Sequence, residues 1–119
     1  MLFDVEDLRD WVGKDVVDLD GSSIGDLESV YFDTARDVPT FAAIKVGMLG
    51  RARLVFAPLD DVKLSPKRLR LKFDKKLVKA APSIDLDGQL EIDKEAEIFA
   101  HYDLEYNLGA SGERRLGRR

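Results

Sequence analysis

Apolar and polar positions alternate through much of this chain with the two-residue period of half-buried strands, and the spacing lengthens to a helical one only late. Arg68-Leu69-Arg70-Leu71-Lys72-Phe73 shows the alternation most cleanly, placing Leu69, Leu71 and Phe73 inward and three cations outward. Ile24 to Asp33 reads as a strand because Val30, Tyr31 and Phe32 suit a pleated surface. Thr40 to Val46 is another, with Ala42, Ile44 and Val46 on one face and Phe41, Ala43 and Lys45 on the other. The loop Gly47-Met48-Leu49-Gly50 leads into a strand over Arg51 to Ala57, and Pro58 assigns its end to an edge or a bulge. Leu59 to Leu64 is a short strand or turn. Val16-Val17 runs into Asp18-Leu19-Asp20-Gly21, and an Asp-Gly pair between apolar runs is a strong hairpin signal.

Helical spacing is scarcer. Met1 to Trp11 fits one short helical turn that docks Trp11 on the core. Lys75 to Ala81 reads as a helical turn stopped ahead of Pro82, because the residue before proline avoids the helical region. Asp93 to Tyr102 is the one full helix, with Asp93 as N-cap, Glu95 in the first turn, and Ile98, Phe99 and Tyr102 on one face. Gly109 to Arg119 has three glycines and almost no apolar content, which predicts a disordered basic tail. The expected organisation is a β-barrel over residues 1–80, an extension over 81–108 with a helix at about 93–102, and the tail over 109–119. The fold class is mainly β: a small, closed or partly open antiparallel barrel of five to six short strands with a C-terminal helical extension. Closure removes exposed strand edges in a chain too short for a large sandwich.

Composition narrows this further. The chain has 119 residues, 45% of them hydrophobic and none of them cysteine, enough for one core. Without cysteine there is no disulfide framework, thiolate metal cluster or cysteine nucleophile. The apolar runs are far shorter than the ~20 residues that span a bilayer, and the acidic start is unlike a signal peptide. These features predict a cytoplasmic protein with no membrane insertion.

The net charge of −4 conceals blocks of opposite sign. Lys63 to Lys79 holds eight basic residues against Asp74, and Ile84 to Glu105 holds eight acidic residues against Lys94. One reading is that the two blocks face each other or line separate solvated faces. The other is an anion-binding or nucleic-acid surface made by Arg68, Arg70 and Lys72 with Arg114 and Arg115 of the tail. Aromatic residues do not interleave with these cations as single-strand recognition favours, so nucleic acid is the weaker reading.

Candidate chemistries mostly fail. The tetrads Asp18 to Gly21 and Asp85 to Gly88 open like a calcium loop but carry glycine at position four instead of six, which reads as ordinary turns. His101, the one histidine, has Glu97 and Glu105 four residues to either side, a pattern more typical of a solvated helix face than of a metal site. Asp60 and Asp61, as neighbours on a strand, would point to opposite faces and could not share a proton. No catalytic, cofactor-binding or metal-ligating residue is assigned, and no cofactor is expected. Met48, Leu49, Arg51 and Arg53 form a candidate interaction surface, since methionine and arginine are enriched at interfaces.

The run Gly13-Lys14-Asp15-Val16-Val17-Asp18, the turn Asp20-Gly21-Ser22-Ser23-Ile24-Gly25, and the strand from Asp26 to Asp33 resemble the opening of a PRC-barrel domain. The Phe41 to Gly47 and Arg53 to Leu59 strands follow in that family's order, so the resemblance covers Phe3 to about Val78. Pro82 to Tyr106 resembles the extension of stand-alone bacterial members. The resemblance implies a small barrel like those of the photosynthetic reaction centre H subunit and of RimM-type ribosome maturation factors. In the first the barrel shields and tunes quinone chemistry, and in the second it contacts protein and RNA during ribosome assembly. On this reading the chain is expected to lack the H subunit's transmembrane helix and the ribosomal factor's separate N-terminal barrel. What carries over is a non-catalytic adaptor role, since fold alone is a weak warrant for function. The leading expectation is a self-associating, dimeric protein-interaction module whose partner is unknown; the alternatives are an RNA or ribosome-assembly accessory and an electron-transfer accessory.

Overall fold

The computed structural model describes residues 10–48, 50–106 and 116–118. Its first two strands, β1 (Asp15–Val17) and β2 (Ser23–Asp33), form the predicted hairpin, and the turn is built on Asp18. Asp18 Oδ1 accepts from the Asp20 and Ser22 N–H groups at 2.9 Å each, and Gly21 takes φ +89°, a conformation that costs glycine little. The remaining oxygen, Oδ2, accepts from the N–H of Lys75, which locks the hairpin to a segment 57 residues away.

β2 then pairs along most of its length with β3 (Pro39–Val46), and β3 pairs with β4 (Arg53–Pro58), all antiparallel. Pro39 is the first residue of its strand, a place where a missing N–H does little harm. The β2–β3 turn is held by Asp33, whose Oδ1 accepts from the N–H groups of Ala35 and Arg36. β3 departs from a one-sided pattern: Phe41, Ala42, Ala43, Ile44 and Val46 are all buried, so both of its faces are covered. A Cβ at Gly25 would lie 2.1 Å from the Lys45 carbonyl oxygen, so only glycine permits β2 to approach β3 this closely.

The strands β5 (Lys63–Leu64) and β6 (Arg68–Arg70) form a second, smaller hairpin closed by Ser65. β6 pairs in parallel with β1, register Val16↔Leu69, a long-range contact that alternation along the chain does not disclose. Of the strand or turn expected over Leu59 to Leu64, Asp60 and Asp61 form the turn before β5, where Asp61 adopts φ +56°. Helix α1 (Lys75–Lys79) starts where Asp74 accepts from the N–H of Lys76 and buries Val78; Pro82 follows as expected. β7 (Ser83–Asp85) adds to the far side of β4.

Helix α2 (Ile92–His101) lies close to its predicted span, but its N-cap is Glu91 and not Asp93. Asp93 and Glu95 occupy the first turn, where negative charge favours the helix dipole without a side-chain cap. Phe99 and Tyr102 meet Phe41 at ring-centroid distances of 5.1 and 6.4 Å, and Tyr102 meets Phe73 at 5.1 Å. These contacts cover the Phe41 side of β3. Glu95 is fully buried in this layer, with Oε1 accepting from the Tyr106 hydroxyl.

The sheet order is β5-β6-β1-β2-β3-β4-β7, mainly antiparallel and not closed into a full barrel. An eighth strand, β8 (Leu116–Arg118), pairs with Tyr31–Asp33 of β2. The expectation of a disordered tail over 109–119 therefore fails at these residues. Leu116, almost the only apolar residue of that stretch, is fully buried where its strand pairs with the end of β2.

Candidate functional site

The residues of the two candidate surfaces lie in different parts of the sheet. The first is the β3–β4 turn. Gly47 (φ +93°) and Gly50 (φ +81°) take left-handed conformations, and the Arg51 N–H donates to the Met48 carbonyl at 2.9 Å. Met48 is 84% exposed, more than any other large apolar side chain among the described residues, and Arg51 is exposed beside it. Leu49 lies outside the described residues. Arg53, half-buried, is also engaged within the fold: its Nη2 donates to the Lys79 carbonyl at 3.2 Å, which braces β4 against the end of α1. A depression of about 530 Å³ between this turn and β7 is lined by Arg51, Arg53, Asp85 and Gln89.

The second surface is the β5–β6 end of the sheet. Because Leu69 is buried on β6, Arg68 and Arg70 project outward together with Lys63 of β5. A cavity of about 300 Å³ is lined by Leu19, Asp61, Lys63, Arg70, Leu71 and Lys72, and a smaller one of about 170 Å³ adjoins Arg68 and Leu64. Lys72 pairs with Asp61 at 3.7 Å, but both side chains are well exposed and such a pair is worth only about 0–1 kcal/mol. Lys63, Lys67, Arg68 and Arg70 make no ion pair among the described residues. Arg114 and Arg115 lie outside the described residues.

The acidic block does not neutralise these cations. It begins at β7, at the opposite end of the strand order, and continues through α2 over Phe41. Among the described residues no ion pair joins the two blocks, and Lys94 pairs with Glu97 inside the acidic one.

Carboxylates do gather at one point, where Asp18, Asp20 and Asp74 bring oxygens within 4.8 Å of one another. Their hydrogen bonds explain the cluster: Asp18 receives three backbone N–H donors and Asp74 caps α1. Burial alone would raise the pKa of Asp18, but those N–H donors and the charge of Lys75 outweigh it, so the carboxyl is held below its ordinary value. His101 is likewise engaged, with Nε2 2.6 Å from the Leu77 carbonyl oxygen, which requires the ring to donate and ties α2 to α1. Tyr102 Oη donates to the Phe56 carbonyl at 2.6 Å, and burial pushes its pKa far above the ordinary phenol range, so it remains a donor.

Sequence reasoning missed the joining roles of Asp18, Tyr102 and His101. Each partner is remote in the chain, and only the Asp-x-Asp-Gly turn hinted that Asp18 would be occupied by backbone.

These features define a small, mainly β module whose single incomplete sheet is buttressed by a helix and whose buried polar side chains hold the fold. The chain belongs to the PRC-barrel domain family: the family model matches residues 3–78, most of the sheet and α1. No curated relative matches the chain. The family is one of non-catalytic barrel modules.

Proposed function

We propose that the chain is a protein-interaction module of the cytoplasm that uses the β3–β4 turn and its strand edges to make protein contacts, with a second copy of itself among the partners. The observation that carries this reading is Met48, displayed at 84% exposure on a glycine-braced turn beside the exposed Arg51. A flexible thioether next to a guanidinium suits a contact surface, and a fold with no need of that side chain gains nothing by exposing it. Sedimentation across a concentration series should show a dimer forming, and a tagged chain should recover a partner that Met48→Asp with Arg51→Glu loses. A monomer at every concentration, with no partner recovered by the unaltered chain, overturns the reading.

A second reading is favoured by the uncovered cations of β5 and β6: an RNA or ribosome-assembly accessory. Lys63, Arg68 and Arg70 converge on one surface that the acidic block leaves open. It predicts binding to ribosomal RNA fragments that weakens steeply with salt and is lost in Arg68→Glu with Arg70→Glu. Absence of binding at low salt removes it.

A further inference from the structure

β2 is the longest strand, and its two edges are used differently. β3 occupies one edge across Asp26 to Phe32. The other edge must therefore take both β1, opposite Ser23 to Asp26, and β8, opposite Tyr31 to Asp33. Among the described residues β8 pairs with no strand besides β2, its register is three residue pairs, and its Leu116 is fully buried.

We propose that the Tyr31–Asp33 edge of β2 is a strand-docking slot for an extended Leu-Gly-Arg segment, and that on self-association it is filled by the Leu116–Arg118 segment of a second copy. This rests on the self-association reading above and names the surface that would serve it. The backbone bonds and the leucine contact that seat β8 are the same whether the segment arrives from its own chain or from another. Residues 107–115 separate Tyr106 from β8 and, fully extended, reach about 30 Å. That is comparable with the molecule's own extents of 39 × 32 × 25 Å, so the segment can reach a neighbour. Reciprocal exchange closes a two-fold dimer and leaves neither slot empty, so the exposed edge that would otherwise invite open-ended association is capped in both copies. The slot also has a side-chain preference: alternation turns the first residue of the docked segment inward, and the chain supplies leucine there.

The absence of native cysteine makes the test direct. A Cβ at Gly117 would lie 3.4 Å from Thr34 Cγ2, within reach of a disulfide between cysteines at those positions. Full-length Thr34→Cys and Gly117→Cys chains are mixed, incubated over a concentration series and oxidised, and the products are mapped by mass spectrometry. The expected result is an inter-chain link between positions 34 and 117 that rises with concentration and exceeds the 34–34 and 117–117 links at least tenfold. Adding Leu116→Asp to the Gly117→Cys chain should lower it at least tenfold. The exchange is overturned if the mixture gives no such link while a single chain carrying both Thr34→Cys and Gly117→Cys closes the bond within itself. Sedimentation of the unaltered chain separates the two ideas: a dimer without the 34–117 inter-chain link defeats the exchange alone, whereas a monomer throughout defeats self-association as well.

Discussion

The basic and acidic blocks are similar in length and charge along the chain, yet the fold uses them in opposite ways. The basic block forms an outer hairpin and a short helix whose cations point away from the core, with Leu69, Leu71 and Val78 buried beneath them. The acidic block, carried past the other end of the sheet, becomes the layer that closes over Phe41, and one of its acids, Glu95, is inside. Charge density therefore says little about whether a segment is surface or structure. What distinguishes them is the spacing of the apolar residues among the charges: period two with Leu69 on β6 and Leu71 just after it turned inward, and a helical face of Ile98, Phe99 and Tyr102 on α2.

The largest expected effect is on the acidic side. Phe99→Ala removes the ring that packs against Phe41 at 5.1 Å and Tyr106 at 4.8 Å, and truncations of this type cost about 3–5 kcal/mol. Urea denaturation should show a lower midpoint; a loss below about 1 kcal/mol would mean that α2 is an ornament on the sheet and not its cover. Tyr102→Phe keeps the packing but strips the donor from the Phe56 carbonyl, so a loss of about 1 kcal/mol is expected in the same measurement.

The link between the regions is next, and it depends on pH. Asp18 anchors α1 of the basic block to the first hairpin, and its carboxyl pKa is lowered in the fold. A lowered folded-state pKa gives stability that is fully present above the unfolded value of about 3.9 and is lost as pH falls through it toward the folded value. Thermal melts of the unaltered chain should therefore weaken below about pH 4, and Asp18→Asn should be less stable at pH 7 with a shallower acid decline. An unchanged acid limb in the variant would show that other carboxylates govern it.

The smallest effect belongs to the basic edge. Arg68→Ala with Arg70→Ala should leave stability within about 0.5 kcal/mol, because neither side chain has an ion-pair partner to lose among the described residues. A change of several times that size would place these cations among the fold's supports and erase the contrast with α2.

Much of the sheet was legible in the sequence. β2, β3 and β4 follow from alternation and glycine turns, α2 from its apolar face, and the first hairpin from its Asp-Gly pair. The parallel pairing of β1 with β6 was not, since it joins Val16 to Leu69 without any turn between them to announce it. β8 was also hidden, because Leu116 is a lone apolar residue among glycines and arginines and one residue has no period. Of the candidate surfaces, the exposure of Met48 and of Arg68 and Arg70 was readable from loop position and alternation. The bond from Arg53 to the Lys79 carbonyl was not readable, because a strand's first residue can point to solvent or fold back on a neighbour that is remote in the chain.

By itself the sequence determined the local elements and which side of each would face inward, because those depend on the sterics of neighbouring residues and on a periodic pattern that a few positions suffice to set. Only the tertiary structure decided how the charged blocks are placed, why Glu95 is buried, and what the last residues do. Those outcomes depend on which backbone edges and aromatic faces remain unsatisfied after the central strands have paired, a quantity that belongs to the assembled sheet and to no segment of the chain.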